Sequence, residues 1–227
     1  MMLFIIMSEV LNKRNELIGS IKNSHVSSSY SSNPLPKLIA VSKQQPDYKI
    51  IQALEAGQRV FGENKLQDAI KRWSNYLNSY NDLELHYIGH LQSNKVKKAL
   101  NFFDVIHTID RENLAIEISK YLTSGIKTKF FMIQINTGNE ESKSGINLKH
   151  FEDFFYFTKN LKIPVKGLMC IPPINESPSI HFSLLKEIAS KYKIKYLSMG
   201  MSMDFEEAIK FGSTHVRIGS SFFGKRI

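Results

Sequence analysis

The stretch Val216-Arg217-Ile218-Gly219-Ser220-Ser221-Phe222-Phe223-Gly224, close to the end of the chain, decides the fold. A short apolar strand runs here into a glycine and two hydroxyl residues. A second stretch, Leu197-Ser198-Met199-Gly200-Met201-Ser202, has the same order of a short strand followed by Gly and Ser. Small residues and backbone N–H groups after a strand suit an anion such as a phosphate. Two such strand ends in succession are typical of the last two loops of a (β/α)8 barrel.

Strands and helices alternate through the rest of the chain. Mostly apolar strands with short connections to helices indicate a parallel sheet covered by helices, in the α/β class. Eight strands favour closure into a single (β/α)8 barrel of the TIM type over an open sheet. No Gly-x-Gly-x-x-Gly follows the first strand, so a dinucleotide fold has little support. We expect strands at residues 38–42, 59–61, 83–88, 105–109, 130–135, 165–169, 196–198 and 215–218.

The chain is predicted to divide into an N-terminal region, residues 1–36, and the barrel, residues 37–227. The first region holds an amphipathic helix at 8–23, with Ser8 as its N-cap, and a Ser-rich linker. The full length of 227 residues fits one small barrel.

The composition excludes several classes of protein. Hydrophobic residues make up 42% and charged residues 22%, as in ordinary globular proteins. The single cysteine, Cys170, excludes an internal disulfide and fits a reducing compartment, so we expect a cytoplasmic protein. No apolar run reaches the ~20 residues of a membrane span, and the N-terminus has no signal-peptide pattern, so we expect no membrane association.

The net charge of +9 raises the alternative of a nucleic-acid binder. The lysines are, however, scattered over predicted helix faces, and no nucleic-acid-binding motif is present. We therefore expect no nucleic-acid partner. Binding with a steep salt dependence would be the signature of the alternative.

Polar residues follow the predicted strands at the end where a barrel carries its active site. A lysine beside apolar walls and another cation forms Schiff bases with carbonyl compounds. A phosphate cradle across the mouth would anchor such a compound a second time, and the combination indicates pyridoxal 5′-phosphate. Taken singly, each residue has a plainer explanation as a surface, turn or ion-paired side chain. The residues at the strand ends are Lys43, Glu63, Asn64, His90, Asp110, Asn136, Met169, Ser202 and Arg217.

Six motifs together resemble the pyridoxal phosphate homeostasis protein family, whose fold is that of the N-terminal barrel domain of alanine racemase. The resemblance covers nearly the whole chain from residue 38 to residue 224. The motifs are Ala40-Val41-Ser42-Lys43, Phe61-Gly62-Glu63-Asn64, Ile88-Gly89-His90-Leu91-Gln92-Ser93-Asn94-Lys95, Lys143-Ser144-Gly145, Leu197-Ser198-Met199-Gly200-Met201-Ser202 and Val216-Arg217-Ile218-Gly219.

The resemblance implies a role for each of six residues, and it implies no metal. Lys43 would carry pyridoxal phosphate as an internal aldimine, and Arg217 would meet the pyridine nitrogen. Asn64 would line the pocket near the ring. The residues implied to hold the phosphate are Ser202, Gly219 and Ser220. The chain departs from the family pattern at Gln44-Gln45, Cys170 and Ser220-Ser221, and none of these departures removes an implied cofactor contact.

Arg217 also bears on the chemistry. Arginine stays protonated and only donates hydrogen bonds, so the ring nitrogen stays unprotonated and the ring is a weak electron sink. Racemases of the similar fold add a tyrosine base from a second domain, and we expect this chain to lack that domain. We therefore expect a monomeric carrier that buffers or delivers the cofactor in vitamin B6 and amino-acid homeostasis, without turnover. Pyridoxal-phosphate-dependent apoenzymes and amino acids are the candidate partners. The alternative is a pyridoxal-phosphate-dependent amino-acid racemase or lyase.

Overall fold

The structure is a computed structural model that describes residues 2–122, 125–140 and 143–224. A closed barrel of eight parallel strands forms its centre. Strand β1 pairs with β2 on one side and with β9 on the other, and the pairing of β4 with β5 completes the ring. The strands are β1 (Lys37–Val41), β2 (Val60–Glu63), β3 (Glu84–Tyr87), β4 (Val105–Ile109), β5 (Phe130–Asn136), β6 (Ile146–Asn147), β7 (Val165–Cys170), β8 (Tyr196–Ser198) and β9 (His215–Ile218).

The predicted barrel of eight strands is confirmed, with one addition. Strand β6 stands outside the ring and pairs with the end of β5, where Ile146 lies opposite Ile135. Two residues are too few to show the alternation that marks a strand in a sequence, so β6 was not predicted.

Helices cover the outside of the barrel. They are α1 (Met2–Val26), α2 (Asp47–Glu55), α3 (Leu66–Ser79), α4 (Val96–Phe102), α5 (Glu112–Ser119), α6 (Phe151–Asn160), α7 (Pro178–Lys191), α8 (Phe205–Lys210) and α9 (Ser220–Phe223). Across the described ranges, with their gaps at 123–124 and 141–142, no helix has the length and apolar character needed to cross a membrane.

Two helices differ from the prediction. Helix α1 begins at Met2, so Ser8 lies within the helix and the prediction of an N-cap there is wrong. No glycine or proline stands between Met2 and Ser8 to stop the helix earlier. Helix α9 is one turn long and follows Gly219 directly, where the sequence predicts only a phosphate-binding loop. A single turn is too short to show a helical period.

The N-terminal helix packs on the barrel unit. Helix α1 contacts α2, α8 and α9. Its side chains Val10, Leu17 and Ile21 are buried, and each such burial stabilises the fold by about 1.5–3 kcal/mol. The Arg14 guanidinium donates a hydrogen bond to the Gly57 carbonyl, 3.1 Å away, at the end of α2.

The main apolar core lies between the strands and the helices. Outward-facing strand residues such as Leu38, Phe61 and Val216 belong to it. Trp73 of α3 is fully buried there, with its ring centroid 4.5 Å from that of Phe61. Trp73 is therefore a packing residue between α3 and β2.

Inside the barrel, the strand positions that alternate with the outward-facing ones are both apolar and polar. Val105, Met132 and Met169 form a small apolar cluster there. The interior also holds buried polar side chains. These are His86, His107, Ser198, His215 and Arg217.

The three interior histidines, His86, His107 and His215, are neutral in the folded protein. Burial lowers the pKa of His86, although the neighbouring Glu84 carboxylate opposes the shift. Burial also lowers the pKa of His107 and His215 well below the usual value, and neighbouring cations add to the effect.

Acidification below about pH 6.5 is therefore expected to destabilise the fold. The unfolded chain takes up protons at histidine in this range while the folded protein does not, so the free energy of unfolding falls with pH. The slope reaches up to about 1.4 kcal/mol per pH unit for each neutral histidine. Urea unfolding at pH 7.5, 6.5 and 5.5 measures it. His215→Asn removes one of these histidines and is expected to reduce the slope by up to about 1.4 kcal/mol per pH unit. His150→Gln changes an exposed histidine and is expected to leave the slope unchanged. Constant stability from pH 6.5 to 5.5 would contradict the neutral histidines.

Candidate functional site

A cavity of about 430 Å³ opens at the carboxyl ends of the strands. This volume is within the range of about 300–1,000 Å³ that is usual for small-molecule sites. The loops after β1, β2 and β8, together with β9 and its loop, supply the six residues predicted to bind the cofactor. All six line this cavity: Lys43, Asn64, Ser202, Arg217, Gly219 and Ser220.

Lys43 is held in a tight turn directly after β1. The N–H of Gln45 donates to the Ser42 carbonyl at 3.1 Å, and Gln44 has a positive φ of 58°. Arg72 of α3 reaches this turn with both terminal nitrogens. Its Nη1 donates to the Ser42 carbonyl at 2.8 Å and its Nη2 to the Gln45 carbonyl at 2.6 Å. The turn that carries Lys43 is thus fixed from outside the barrel.

Glu63, at the end of β2, supports the same turn. The carboxylate is buried, and its Oε1 accepts hydrogen bonds from Ser42 Oγ at 2.7 Å, Arg72 Nη1 at 3.1 Å and Trp73 Nε1 at 3.1 Å. The Arg72 cation compensates the buried charge. Sequence reasoning placed Glu63 at the mouth but missed Arg72, since nothing in the sequence relates a mid-helix arginine to a turn 30 residues earlier.

The two loops predicted to hold a phosphate are joined to each other. The Ser221 N–H donates to Ser202 Oγ at 3.3 Å, and Ser221 Oγ lies 3.5 Å from the Ser202 carbonyl. The first loop is also tied within itself, because the Met201 N–H donates to Asp204 Oδ1 at 2.6 Å. The second loop leads into the start of α9 at Ser220. The first N–H groups of a helix have no partner within the helix and suit an anion.

Arg217 lies at the base of the cavity with only 4% of its surface exposed. Its Nη1 donates to Ser198 Oγ at 2.7 Å and its Nη2 to the Cys170 carbonyl at 2.9 Å. Burial lowers the pKa of Arg217, but arginine starts so high that it stays protonated. Burial also raises the pKa of the Cys170 thiol to about 12, which excludes a reactive thiolate there at neutral pH.

The wall at Asn64 depends on a glycine that sequence reasoning did not single out. A Cβ on Gly89 would lie 2.2 Å from the Asn64 carbonyl oxygen, so only glycine allows the two loops to approach this closely. Tyr87 Oη lies 3.3 Å from the Asn64 carbonyl and 3.0 Å from the His90 carbonyl, linking the same two loops. Burial raises the pKa of Tyr87 to about 12, so its hydroxyl remains a donor.

The other predicted strand-end residues lie away from this cavity. His90 and Asn136 line a second cavity of about 270 Å³, which shares Ile88 and Ile171 with the first. Asp110 pairs with Arg111 at 2.6 Å and lies 3.4 Å from His90. Met169 belongs to the small apolar cluster inside the barrel.

Comparison with known proteins agrees with this geometry. The family model described as alanine racemase, N-terminal domain, matches residues 22–226. The pyridoxal phosphate homeostasis protein of Aquifex aeolicus (strain VF5) is 39% identical over 200 residues, which are 84% of this chain and 87% of that protein. The structure of PipY from Synechococcus elongatus PCC7942 with PLP bound has a TM-score of 0.77 at 28% identity, covering 95% of this chain and all of PipY (100%). Alanine racemase from Corynebacterium glutamicum, at 17% identity and a TM-score of 0.64, shares the fold over 92% of this chain and 62% of its own.

The fold and the family match place this protein in the class of (β/α)8 barrels of the alanine racemase N-terminal type. Within that class, the chain belongs to the pyridoxal phosphate homeostasis protein family. The resemblance deduced from the six motifs is thereby confirmed. The roles of the individual cavity residues remain predictions.

Loss of the Glu63 carboxylate is expected to weaken the fold at the mouth. Glu63→Ala removes the buried acceptor of Arg72 and Trp73, but Arg72 keeps the Asp47 carboxylate at 3.1 Å and the two turn carbonyls, so the expected cost is about 1–3 kcal/mol. Urea unfolding at pH 7.5 measures this loss. Glu63→Gln keeps an acceptor oxygen and is expected to lose less. Glu55→Ala, at an exposed position on α2, is the matched control and is expected to unfold like the wild type. Equal stability of Glu63→Ala and Glu55→Ala would refute the role of Glu63.

Proposed function

We propose that this protein binds pyridoxal 5′-phosphate in the 430 Å³ cavity and that the Lys43 amine bonds covalently to the cofactor's aldehyde, with loss of one water. The observation that carries the proposal is the gathering of Lys43, Arg217 and the two Ser-bearing loops around one cavity. PipY, whose structure has PLP bound, shares this fold along its whole length.

The residues around the cavity fit the chemistry of the cofactor. Pyridoxal phosphate needs an amine for its aldehyde, a cradle for its phosphate and a partner for its ring nitrogen. Lys43 supplies the amine. The phosphate would lie against Ser202, Gly219 and Ser220, where hydroxyls and a helix start offer hydrogen bonds. Arg217 would donate to the ring nitrogen, and Asn64 would line the cavity beside the ring.

Arg217 supports a carrier over a catalyst. A guanidinium donates to the ring nitrogen without protonating it, so the bound cofactor withdraws electrons weakly. In the described part of the chain, neither tyrosine nor histidine lines the cavity, and the Asp204 carboxylate that does line it accepts a hydrogen bond from the Met201 N–H. The function we infer is to buffer the cofactor and deliver it to apoenzymes, within vitamin B6 and amino-acid homeostasis.

The partners follow from the same reasoning. Pyridoxal-phosphate-dependent apoenzymes would receive the cofactor. The second cavity, which shares Ile88 and Ile171 with the first, would give room to an amino acid beside the cofactor.

We infer that the carrier acts as a monomer in the cytoplasm. Residues 1–36 would form its N-terminal helix and linker, and residues 37–227 its barrel. The buried, unreactive thiol of Cys170 is compatible with a reducing compartment.

Purified protein mixed with pyridoxal phosphate is expected to turn yellow, and borohydride is expected to fix one cofactor to Lys43. Lys43→Ala removes the amine and is expected to remain colourless. Mass spectrometry after reduction locates the attachment. Lys97→Ala, which removes an exposed lysine on α4, is the control and is expected to behave as the wild type. A Lys43→Ala protein that keeps the same absorbance band would exclude the proposed attachment.

Turnover separates the carrier from the alternative racemase or lyase. Incubation of the cofactor-loaded protein with a panel of L-amino acids, followed by chiral chromatography, is expected to show no product above the free-cofactor background. Robust product formation that disappears in Lys43→Ala would show that the protein is an enzyme and would contradict the carrier function.

A further inference from the structure

A continuous line of hydrogen bonds runs inside the barrel from Arg217 at the mouth toward the opposite end. Ser198 Oγ lies 2.7 Å from Arg217 Nη1 and 2.9 Å from His107 Nδ1. His107 Nε2 lies 2.7 Å from His86 Nδ1, and His86 Nε2 lies 2.7 Å from Glu84 Oε1. We call these five residues the interior chain. It joins strands β9, β8, β4 and β3.

The Glu84 end of the interior chain is a carboxylate. Lys37 Nζ donates to both of its oxygens, at 2.9 and 2.8 Å. Burial alone would raise the pKa of Glu84, but the hydrogen bonds from His86 and Lys37 and the Lys37 charge lower it. An ionised carboxylate only accepts hydrogen bonds, so His86 donates to it from Nε2.

The direction of every other bond follows from that one. Burial keeps His86 neutral, so its Nδ1 carries no hydrogen and accepts from His107 Nε2. His107 is neutral as well, and its Nδ1 accepts the Ser198 hydroxyl hydrogen. The Ser198 oxygen then accepts from Arg217 Nη1. Arginine has no acceptor, so the direction required at the Arg217 end agrees with the direction set by Glu84.

We propose that Ser198, His107, His86 and Glu84 are positioning residues that hold the Arg217 guanidinium in one orientation at the base of the cavity. The Cys170 carbonyl holds the second terminal nitrogen at 2.9 Å. Each group between Arg217 and Glu84 turns its acceptor atom toward Arg217 and its hydrogen away from it, so the chain also stabilises the guanidinium charge. The inference rests on the proposed function only in naming the cofactor ring as the group that Arg217 meets.

The orientation has a consequence for binding. A free arginine side chain loses rotamer entropy when a ligand immobilises it. Because the interior chain has already immobilised Arg217, ligand binding does not include this loss of entropy, and the affinity is higher. The interior chain therefore preorganises the cavity, and apart from Arg217 itself it is built from residues that do not line the cavity.

The first test needs no cofactor. Side-chain ¹⁵N NMR of the wild-type protein at pH 7.5 is expected to show His86 and His107 both neutral and both protonated at Nε2. His215, with ring centroids 5.8 Å from His86 and 6.1 Å from His107, requires separate assignment through His215→Asn. An Nδ1-protonated tautomer at His86 or His107, or a charged ring at either, overturns the interior chain.

The second test compares two serines. Ser198→Ala removes the link to Arg217, whereas Ser213→Ala removes another buried hydroxyl, which donates to the Met199 carbonyl at 2.7 Å. Rotation of the Arg217 guanidinium, followed by NMR of its Nη protons, is expected to accelerate at least about tenfold in Ser198→Ala and to stay unchanged in Ser213→Ala. Ser198→Thr retains the hydroxyl and is expected to restore slow rotation, which keeps the test decisive if the alanine variant folds poorly. Equal rotation in all four proteins refutes the proposal.

Cofactor titration then separates this inference from the proposed function. Ser198→Ala is expected to turn yellow, because Lys43 is intact, and to bind pyridoxal phosphate roughly tenfold more weakly than Ser213→Ala. A wild type that stays colourless contradicts the proposed function and leaves the two NMR results standing. A yellow wild type with equal affinities in Ser198→Ala and Ser213→Ala contradicts the role of the interior chain in binding.

Discussion

The burial of the Arg217 guanidinium is the constraint on which the arrangement of the barrel depends. A buried charge costs several kcal/mol unless its N–H groups are bonded and its charge is compensated. The acceptors come from β7, through the Cys170 carbonyl, and from β8, through Ser198. In the parallel sheet β8 pairs with β9 and β7 pairs with β8, so this order of strands brings both acceptors to the guanidinium, and the closed barrel buries it in the interior.

The mouth is supported from both sides of the strand layer. Outside it, Glu63 and Arg72 fix the turn that carries Lys43. Inside it, the interior chain holds Arg217. The loops after β8 and β9 are fastened to each other through Ser202 and Ser221. A cavity surrounded by such supports loses little conformational entropy when it binds a small anion.

Much of the fold was predictable because its signals are local. Apolar strands alternating with amphipathic helices indicated the eight-stranded barrel, and the six motifs indicated which strand ends meet at the mouth. Two short elements were not predicted, because β6 has two residues and α9 has four, too few to show the repeat of apolar residues that marks a strand or a helix. The N-cap prediction at Ser8 was wrong because capping preference is weak where the helix simply continues through residues without a breaker.

The sequence by itself determined the order of strands and helices and placed Lys43, Asn64, Ser202, Arg217, Gly219 and Ser220 at strand ends, since both depend on neighbours along the chain. Only the tertiary structure decided what holds these residues. Arg72 reaches the Lys43 turn, and His107 meets Ser198 across 91 positions of sequence. Strand alternation shows that two faces exist, but closure of the barrel determines which face is the interior and which polar side chains meet there.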